Sequence, residues 1–391
     1  IAPMPPPARP PLTVSAMFRQ AALPTASMLA VTAMAVVILG NINANLAAAG
    51  MQIDFRFLLT QAGFDVSENL IEYSSRDTYL RVLAVGALNT LLAAFSALVL
   101  ATMIGVMVGV ALTGRNWLVR NLARLYVELL RNVPKLLILI ALYVVLVRAL
   151  PHIRTSIELP FGVLVSNRGA FFPWPIIEQG HAVLAGALLI WLVAARAAHR
   201  AIRRHQDLTG RRLPFLLPVL AAGLVVIWLL HVTGIAPISW SFPQLRGFNA
   251  VGGKVISLQF ATLVIMLGVY HGGQIAAIIR GGIVATSAGQ QEAARSLGLP
   301  RLLTMRLIVL PQALRVIVPP LGNQYCNLIK NTTIALAVGY SDIMSVMSTS
   351  VNQTFRPIEL MLIIAAFFLV INLLMSAAIN WFNHRFRIPT R

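Results

Sequence analysis

The chain has 391 residues, of which 58% are hydrophobic and only 11% are charged. This composition excludes a soluble globule of that length, because too few polar side chains are present to cover its surface, and it predicts an integral membrane protein. The formal charge of +19 does not indicate nucleic acid binding, since the basic residues cluster at the ends of apolar stretches, as the positive-inside rule describes. The single cysteine, Cys326, excludes an intrachain disulfide and a cysteine-based metal cluster.

The N-terminal region divides into three predicted segments. Residues 1–22 are rich in proline and read as a cytoplasmic tail without regular helix. Residues 23–42 are apolar and predict a retained first transmembrane helix, although small residues near Ala47 leave a cleaved signal peptide as the alternative. Residues 43–79 are acid-rich, which favours the periplasmic side, and their stretch 53–59 is amphipathic.

Seven further transmembrane spans are predicted after this segment. Because about 20 helical residues cross a 30 Å hydrocarbon core, each apolar stretch is long enough for one crossing. Eight crossings place both termini and every basic cluster in the cytoplasm of a bacterium, with the chain in the inner membrane. The predicted ranges are 80–150 for spans two and three, 151–254 for an insertion with spans four and five, 255–383 for spans six to eight, and 384–391 for a C-terminal tail.

A loop at 281–312, between spans six and seven, contains the pattern E-A-A, three residues, G, nine residues, I-x-L-P. The pattern predicts a short helix from Ala288 to Leu297, a break at Gly298 where positive φ is available, and a second helix after Pro300. Ala293 and Ala294 are expected to present a flat face to another protein.

This pattern resembles the EAA loop of the membrane subunits of ATP-binding cassette importers. The resemblance implies that the short helix is a coupling helix seated in a groove of a partner ATPase. It also implies that Glu292 pairs with basic groups of that ATPase and that Gly298 makes the bend. The residues expected to couple to the ATPase are Glu292, Ala293, Ala294, Arg295, Gly298, Leu299 and Pro311.

Span seven contains an unusual concentration of polar side chains. Such groups are costly at membrane depth, where one lysine costs about 2.5–3.5 kcal/mol, so they indicate either a solute path or hydrogen bonds between helices. Pro319, Pro320 and Gly322 are expected to interrupt the helix just before these polar side chains. The candidates for the path are Asn323, Asn327, Lys330, Asn331, Thr332 and Thr333. Lys330 is the candidate to hold an α-carboxylate.

Three further segments resemble polar amino acid permeases of these importers, in the general L-amino acid or glutamate, glutamine, aspartate and asparagine branch. They lie at 64–91, 126–134 and 328–343, and Lys135 departs from the uncharged residue common there. The resemblance implies an all-α membrane protein with a five-helix core formed by spans two, three, six, seven and eight. It also implies a second homologous permease subunit, two ATPase subunits and a periplasmic amino-acid-binding protein.

The sequence contains no phosphate-binding G-x-x-x-x-G-K-[ST] motif and no H-E-x-x-H motif. We therefore expect no catalytic residue, metal or cofactor in this chain, with ATP and Mg bound by the partner ATPase.

Two alternatives stay open. An ion-gradient-driven transporter usually places carboxylates inside its spans, and an intramembrane enzyme needs clustered reactive side chains. Copurification of an ATPase distinguishes both from an importer subunit.

Overall fold

The computed structural model describes residues 14–48, 53–177, 180–210, 214–235, 237–247 and 249–385. Helices dominate these ranges, and four 3-10 turns and one π-helical segment link them. The helices are α1 Val14–Ala48, α2 Tyr79–Thr113, α3 Trp117–Asn132, α4 Lys135–Ala149, α5 His181–Thr209, α6 Leu216–Val232, α7 Leu258–Val284, α8 Ala288–Ser296, α9 Arg301–Thr304, α10 Leu310–Asn331, α11 Ile343–Thr354 and α12 Pro357–Arg385.

Within the described ranges, five helical stretches are long and apolar enough to cross a membrane. They are Tyr79–Thr113, Ala182–Thr209, Leu258–Val284, Leu302–Val338 and Pro357–Trp381. Helices α3 and α4 form a sixth span if they count as one, bent by 105°. Two shorter apolar helices, Thr25–Ile38 and Leu217–Val232, correspond to predicted spans one and five. The helical membrane fold is confirmed, and the count of eight crossings stays a prediction.

The core is centred on the packing of α2 against α7. Small side chains on α2, such as Ala97 and Ala101, are fully buried against leucines of α7, such as Leu267. Gly272 of α7 lies so close to α2 that a Cβ at this position would be 2.7 Å from Cγ2 of Ile104. Small residues that let two backbones approach are the main source of van der Waals packing between helices in lipid. Helices α4, α10 and α12 also pack into this core.

Eight short strands were not predicted from the sequence. A four-stranded antiparallel sheet has the order β1-β2-β3-β8, and the pairs β4-β5 and β6-β7 form two smaller sheets. The strands are β1 Ile157–Leu159, β2 Val163–Ser166, β3 Gly169–Phe172, β4 Trp174–Ile177, β5 Ile238–Ser241, β6 Gln244–Arg246, β7 Asn249–Val251 and β8 Lys254–Ser257. Because β3 pairs with β8 across the α5–α6 insertion, the two ends of the insertion meet at the start of α7.

The N-terminal predictions need one correction. Helix α1 begins at Val14, so residues 14–22 of the predicted tail are helical. The prolines that disfavour a helix there end at Pro11. Residues 1–13 lie outside the described ranges. The amphipathic stretch 53–59 is exposed at most of its residues but buries one aromatic ring. Its 3-10 turn, Arg56–Leu59, buries Phe57 against Val82 of α2 and Leu360 of α12.

Span three, which we predict from about Leu129 to Leu150, contains a sharp break. Residues 117–132 form a separate helix, α3, and the chain turns by 105° before α4. Pro134 explains the break, because it is the N-cap of α4 and has no backbone N–H to continue the preceding helix. The turn places Lys135 at the start of α4, where it is half-buried and lines a cavity shared with α7 and α10. Of the C-terminal tail, residues 386–391 lie outside the described ranges.

Candidate functional site

The α8–α9 loop has the predicted helix, break and second helix. Gly298 has φ +70°, and its N–H donates to the carbonyl of Arg295 at 2.9 Å. The N–H of Leu299 donates to the carbonyl of Ala294 at 3.0 Å. These two bonds form a Schellman C-cap, which satisfies carbonyls at the end of α8 and requires a left-handed residue at its centre. Gly298 therefore fixes the direction in which the chain leaves α8.

The exposed residues of this loop differ from the expectation in one respect. Ala294 is 1% exposed and packs inside this chain, whereas Ala293 and Glu292 are exposed, so the two alanines do not form one flat outer face. Large apolar side chains provide the exposed surface instead, because Leu297 and Leu302 are 78% and 83% exposed. Exposed apolar residues grouped in one loop are typical of a protein interface.

A π-helical segment, Met305–Val309, connects α9 to α10. Pro311 explains it, because proline has no N–H to bond four residues back and its ring crowds the preceding turn. The widened turn accommodates the ring while the helix axis continues into α10. Pro311 of the motif thus has a structural role at the junction between the loop and a spanning helix.

The second candidate site is an open cavity of about 340 Å³ between α4, α7 and α10. It lies halfway along α7, at His271, where the first residue of α4 and the last residue of α10 meet. Its lining residues include two lysines and no acid; they are Lys135, Tyr270, His271, Gln274, Asn327, Lys330 and Asn331. The positive end of the α4 helix dipole adds to the lysine charges, so the cavity favours an anionic group.

A continuous hydrogen-bonded network forms one wall of this cavity. Lys135 Nζ donates to Asn331 Oδ1, and Asn331 Nδ2 lies 3.1 Å from His271 Nε2. The Gln324 amide is 2.7 Å from His271 Nδ1 and 2.6 Å from the Gln274 amide. Because Asn331 donates to Nε2, the ring proton belongs on Nδ1. A half-turn of both the Gln324 and the Gln274 amides then lets Gln324 Oε1 accept from the Nδ1–H and from Gln274 Nε2.

Three of the six predicted path residues line the cavity: Asn327, Lys330 and Asn331. Asn323 is exposed and is not among the lining residues. Thr332 and Thr333 donate their hydroxyls to the carbonyls of Ile329 and Lys330, at 2.7 and 2.9 Å, so both satisfy the backbone at the end of α10.

The predicted interruption of span seven is wrong in its position. Helix α10 runs through Pro319 and Pro320, and the irregular backbone follows the amide cluster as the 3-10 segment Thr332–Val338. Prolines remove only two backbone donors, and the turns on either side keep theirs, so the helix continues. Gly339, with φ +77°, ends the irregular segment.

Sequence reasoning missed four cavity residues. Lys135, Tyr270, His271 and Gln274 come from α4 and α7, which are distant in sequence from span seven. A signal was present, since His271 and Gln274 are polar residues three positions apart inside an apolar span, at the spacing of one helix face. Only the tertiary fold shows that they meet the α10 amides.

Comparisons with known proteins identify the family. The model described as "Binding-protein-dependent transport system inner membrane component" matches residues 212–388. The chain is 40% identical over 353 residues to the general L-amino acid transport system permease protein AapQ of Rhizobium johnstonii, covering 90% of this chain and 88% of the relative. It is 40% identical over 352 residues to the putative amino-acid ABC transporter permease protein YhdX of Escherichia coli, covering 89% and 88%.

A third relative is the glutamate/glutamine/aspartate/asparagine transport system permease protein BztB of Rhodobacter capsulatus. It is 35% identical over 391 residues, and the match covers 90% of this chain and 90% of the relative. Similarity over nearly the full length confirms the resemblance seen in the motifs, and it rules against the two alternatives. An importer of this type works with a substrate-binding protein and an ATPase that binds the ATP. The chain belongs to the family of inner-membrane permease subunits of amino acid ATP-binding cassette importers, and it is a translocation subunit rather than an enzyme.

Proposed function

We propose that this permease moves polar L-amino acids from the periplasm to the cytoplasm by alternating access. A periplasmic binding protein delivers the amino acid, and two ATPase subunits act on the loop around α8. A second, homologous permease subunit completes the membrane path. The names of two relatives support this substrate class. One name refers to general L-amino acids, and the other to glutamate, glutamine, aspartate and asparagine.

The cavity beside His271 is the single observation that favours a solute with a carboxylate. Lys330 and Lys135 supply positive charge where the lining has no carboxylate, and the amides of Asn327 and Asn331 supply neutral hydrogen-bonding groups. A lysine at membrane depth costs free energy, so its presence is explained if it binds an anionic group. Lys135 is already bonded to Asn331, which leaves Lys330 as the cation facing the solute's α-carboxylate.

The α8–α9 loop supports the coupling role. Glu292, Ala293, Arg295, Leu297 and Gly298 are exposed on it, which suits an interface with a partner subunit. Because α8 follows α7 after a short turn, a push on α8 acts directly on the spanning helix that lines the cavity. Such rigid-body coupling is a standard route between two global states. Leu299 and Pro311 position the two ends of this loop.

The test is uptake by the complete importer in proteoliposomes, with the ATPase and the binding protein. Lys330→Met should lower uptake of labelled glutamate and glutamine at least tenfold, because a charge-assisted hydrogen bond contributes about 1.5–3 kcal/mol. Lys330→Arg should retain a substantial part of the uptake. Lys254→Met is the matched control, since Lys254 is exposed on β8 and does not line the cavity.

A second comparison tests the α-carboxylate itself. Amines that lack the carboxylate but keep the side chain should fail to compete for transport in the wild type. Unchanged uptake by Lys330→Met, with normal assembly, would remove Lys330 from the solute path while leaving the family assignment intact.

A further inference from the structure

Four arginines surround a second cavity, of about 610 Å³, at the opposite end of α7 from the β-sheet. Arg120 and Arg124 come from α3, Arg280 from α7 and Arg295 from α8. Thr286 and Glu292 also line it. This arginine cavity therefore lies where the loop around α8 meets the spanning helices.

The charges of the arginine cavity are not balanced within this chain. Four guanidinium groups and the one carboxylate of Glu292 give a formal charge of +3 (4 − 1). Ion pairs in the described part of the chain, such as Arg81 with Asp77 and Arg356 with Glu359, involve none of these four arginines. Like charges gathered around one cavity repel each other, and a bound anion removes that repulsion.

Two buried polar atoms at the same cavity have no hydrogen-bond partner. They are Nε of Arg120 and Oγ1 of Thr286, and Thr286 is only 6% exposed. Buried donors are nearly always satisfied in folded proteins, so two orphaned donors beside one cavity indicate an acceptor bound there. Arg120 is on α3 and Thr286 follows α7, so a local distortion of one turn does not explain both unpaired atoms.

We propose that the arginine cavity binds a phosphate group. Arginine forks match the oxygens of a phosphate, and a threonine hydroxyl commonly adds a further donor. The volume accommodates a phosphate with its attached groups, since ligand cavities typically measure about 300–1,000 Å³. The phosphate belongs to an anionic phospholipid headgroup or to a soluble phosphate compound, because both present the same oxygens to this site.

Bound phosphate would connect α3 to α8. Arg120 and Arg124 hold it from one helix and Arg295 from the other, so an occupied site fixes α8 against the ends of the spanning helices. The consequence for coupling rests on the proposed function of α8, whereas the binding itself does not. Binding is therefore measured directly rather than through transport.

The experiment uses the purified importer complex in nanodiscs. One arm compares phosphatidylcholine nanodiscs with and without phosphatidylglycerol and counts retained lipid by native mass spectrometry. The other arm measures binding of labelled inorganic phosphate by equilibrium dialysis in phosphatidylcholine alone. The test variant is the double substitution Arg120→Gln with Arg124→Gln. The control is Arg115→Gln with Arg204→Gln, which removes the same two charges at exposed arginines outside the cavity.

We expect the wild type and the control to retain phosphatidylglycerol, or to bind phosphate, at least tenfold more tightly than the double variant. Retention in the lipid arm alone identifies a headgroup, and binding in the phosphate arm identifies a soluble compound. Equal binding by the wild type and the double variant, an equal loss in the control, or binding in neither arm overturns the proposal. If the double variant does not assemble with its ATPase, Arg280→Gln replaces it in the same comparison.

Discussion

At the scale of single residues, Glu68 is a carboxylate that joins two distant parts of the chain. It accepts a hydrogen bond from Ser257, whose Oγ also caps α7 by accepting the N–H of Phe260 at 3.0 Å. Burial raises the pKa of Glu68 to about 7, and nearby Lys254 opposes the shift only in part. Glu68 therefore links the segment before α2 to the start of α7 and titrates near neutral pH.

Glu68 should make stability depend on pH in a defined direction. Between its ordinary pKa of 4.5 and its folded pKa of about 7, the folded chain holds a proton that the unfolded chain has released. Stability from this group is therefore present at low pH and is lost as pH rises through that window. The loss should be about 1–2 kcal/mol, allowing for partial exposure of the group.

The measurement compares the wild-type complex with Glu68→Gln by thermal unfolding at pH 5 and pH 8. Glutamine keeps the oxygen that accepts from Ser257 but does not titrate. The difference in Tm, variant minus wild type, should therefore be a few degrees larger at pH 8 than at pH 5. All other titrating groups are common to both proteins. A difference in Tm that is the same at both pH values contradicts the prediction.

At the scale of elements, α8 and its C-cap are set by local sequence. The Schellman bonds at Arg295 and Ala294 need one residue with positive φ, and Gly298 supplies it. A Cβ at Gly298 would meet nothing within 4 Å, so a substitution there acts through the backbone rather than through a clash. The direction of the chain between α8 and α9 depends on this one residue.

Gly298→Val should weaken the interaction with the ATPase without preventing membrane insertion. A side chain in the left-handed region costs about 1–2 kcal/mol, and the loop avoids that cost by changing its exit angle from α8. Pull-down of the ATPase and substrate-stimulated ATP hydrolysis by the complex measure the effect, and both should fall severalfold.

Gly289→Val is the matched control, because Gly289 lies within α8 with helical backbone and a Cβ there also meets nothing within 4 Å. It should leave both readouts close to those of the wild type. Equal ATPase binding and stimulation in the two variants would show that the bend at Gly298 does not orient the loop.

At the scale of the whole molecule, α7 connects the parts that the proposed mechanism needs. It begins at the β-sheet, passes the polar cavity at His271 and ends beside α8. Its 27 residues span about 40 Å at 1.5 Å per residue, which is sufficient to cross a bilayer. The sheet and the α8 loop therefore lie at opposite ends of the core.

Eight crossings predict that residues 161 and 290 face opposite sides of the membrane, because α5, α6 and α7 cross between them. With Cys326→Ser as background, Phe161→Cys should react with a membrane-impermeant maleimide in intact cells. Gln290→Cys should react only in inverted vesicles or after permeabilisation. Both positions are exposed, and Phe161 is 91% exposed. Reaction of both cysteines from one side would show that one of the three helices does not cross.

The sequence by itself determined the helical membrane fold, the α8–α9 loop and the family, because each depends on composition or on residues within one local segment. The break at Gly298 follows from Gly298 and Pro300 alone. The polar cavity was predictable only in part, through the amides and the lysine of α10.

Tertiary structure decided which of those residues face one another. Lys135 and His271 reach Asn331 from 196 and 60 positions away, so their meeting depends on how α4 and α7 pack against α10. The same is true of β3 and β8, whose pairing closes an insertion of about 80 residues and has no local signal. Short-range patterns fix helices and caps, whereas long-range contacts depend on packing free energy summed over several helices, which no single segment encodes.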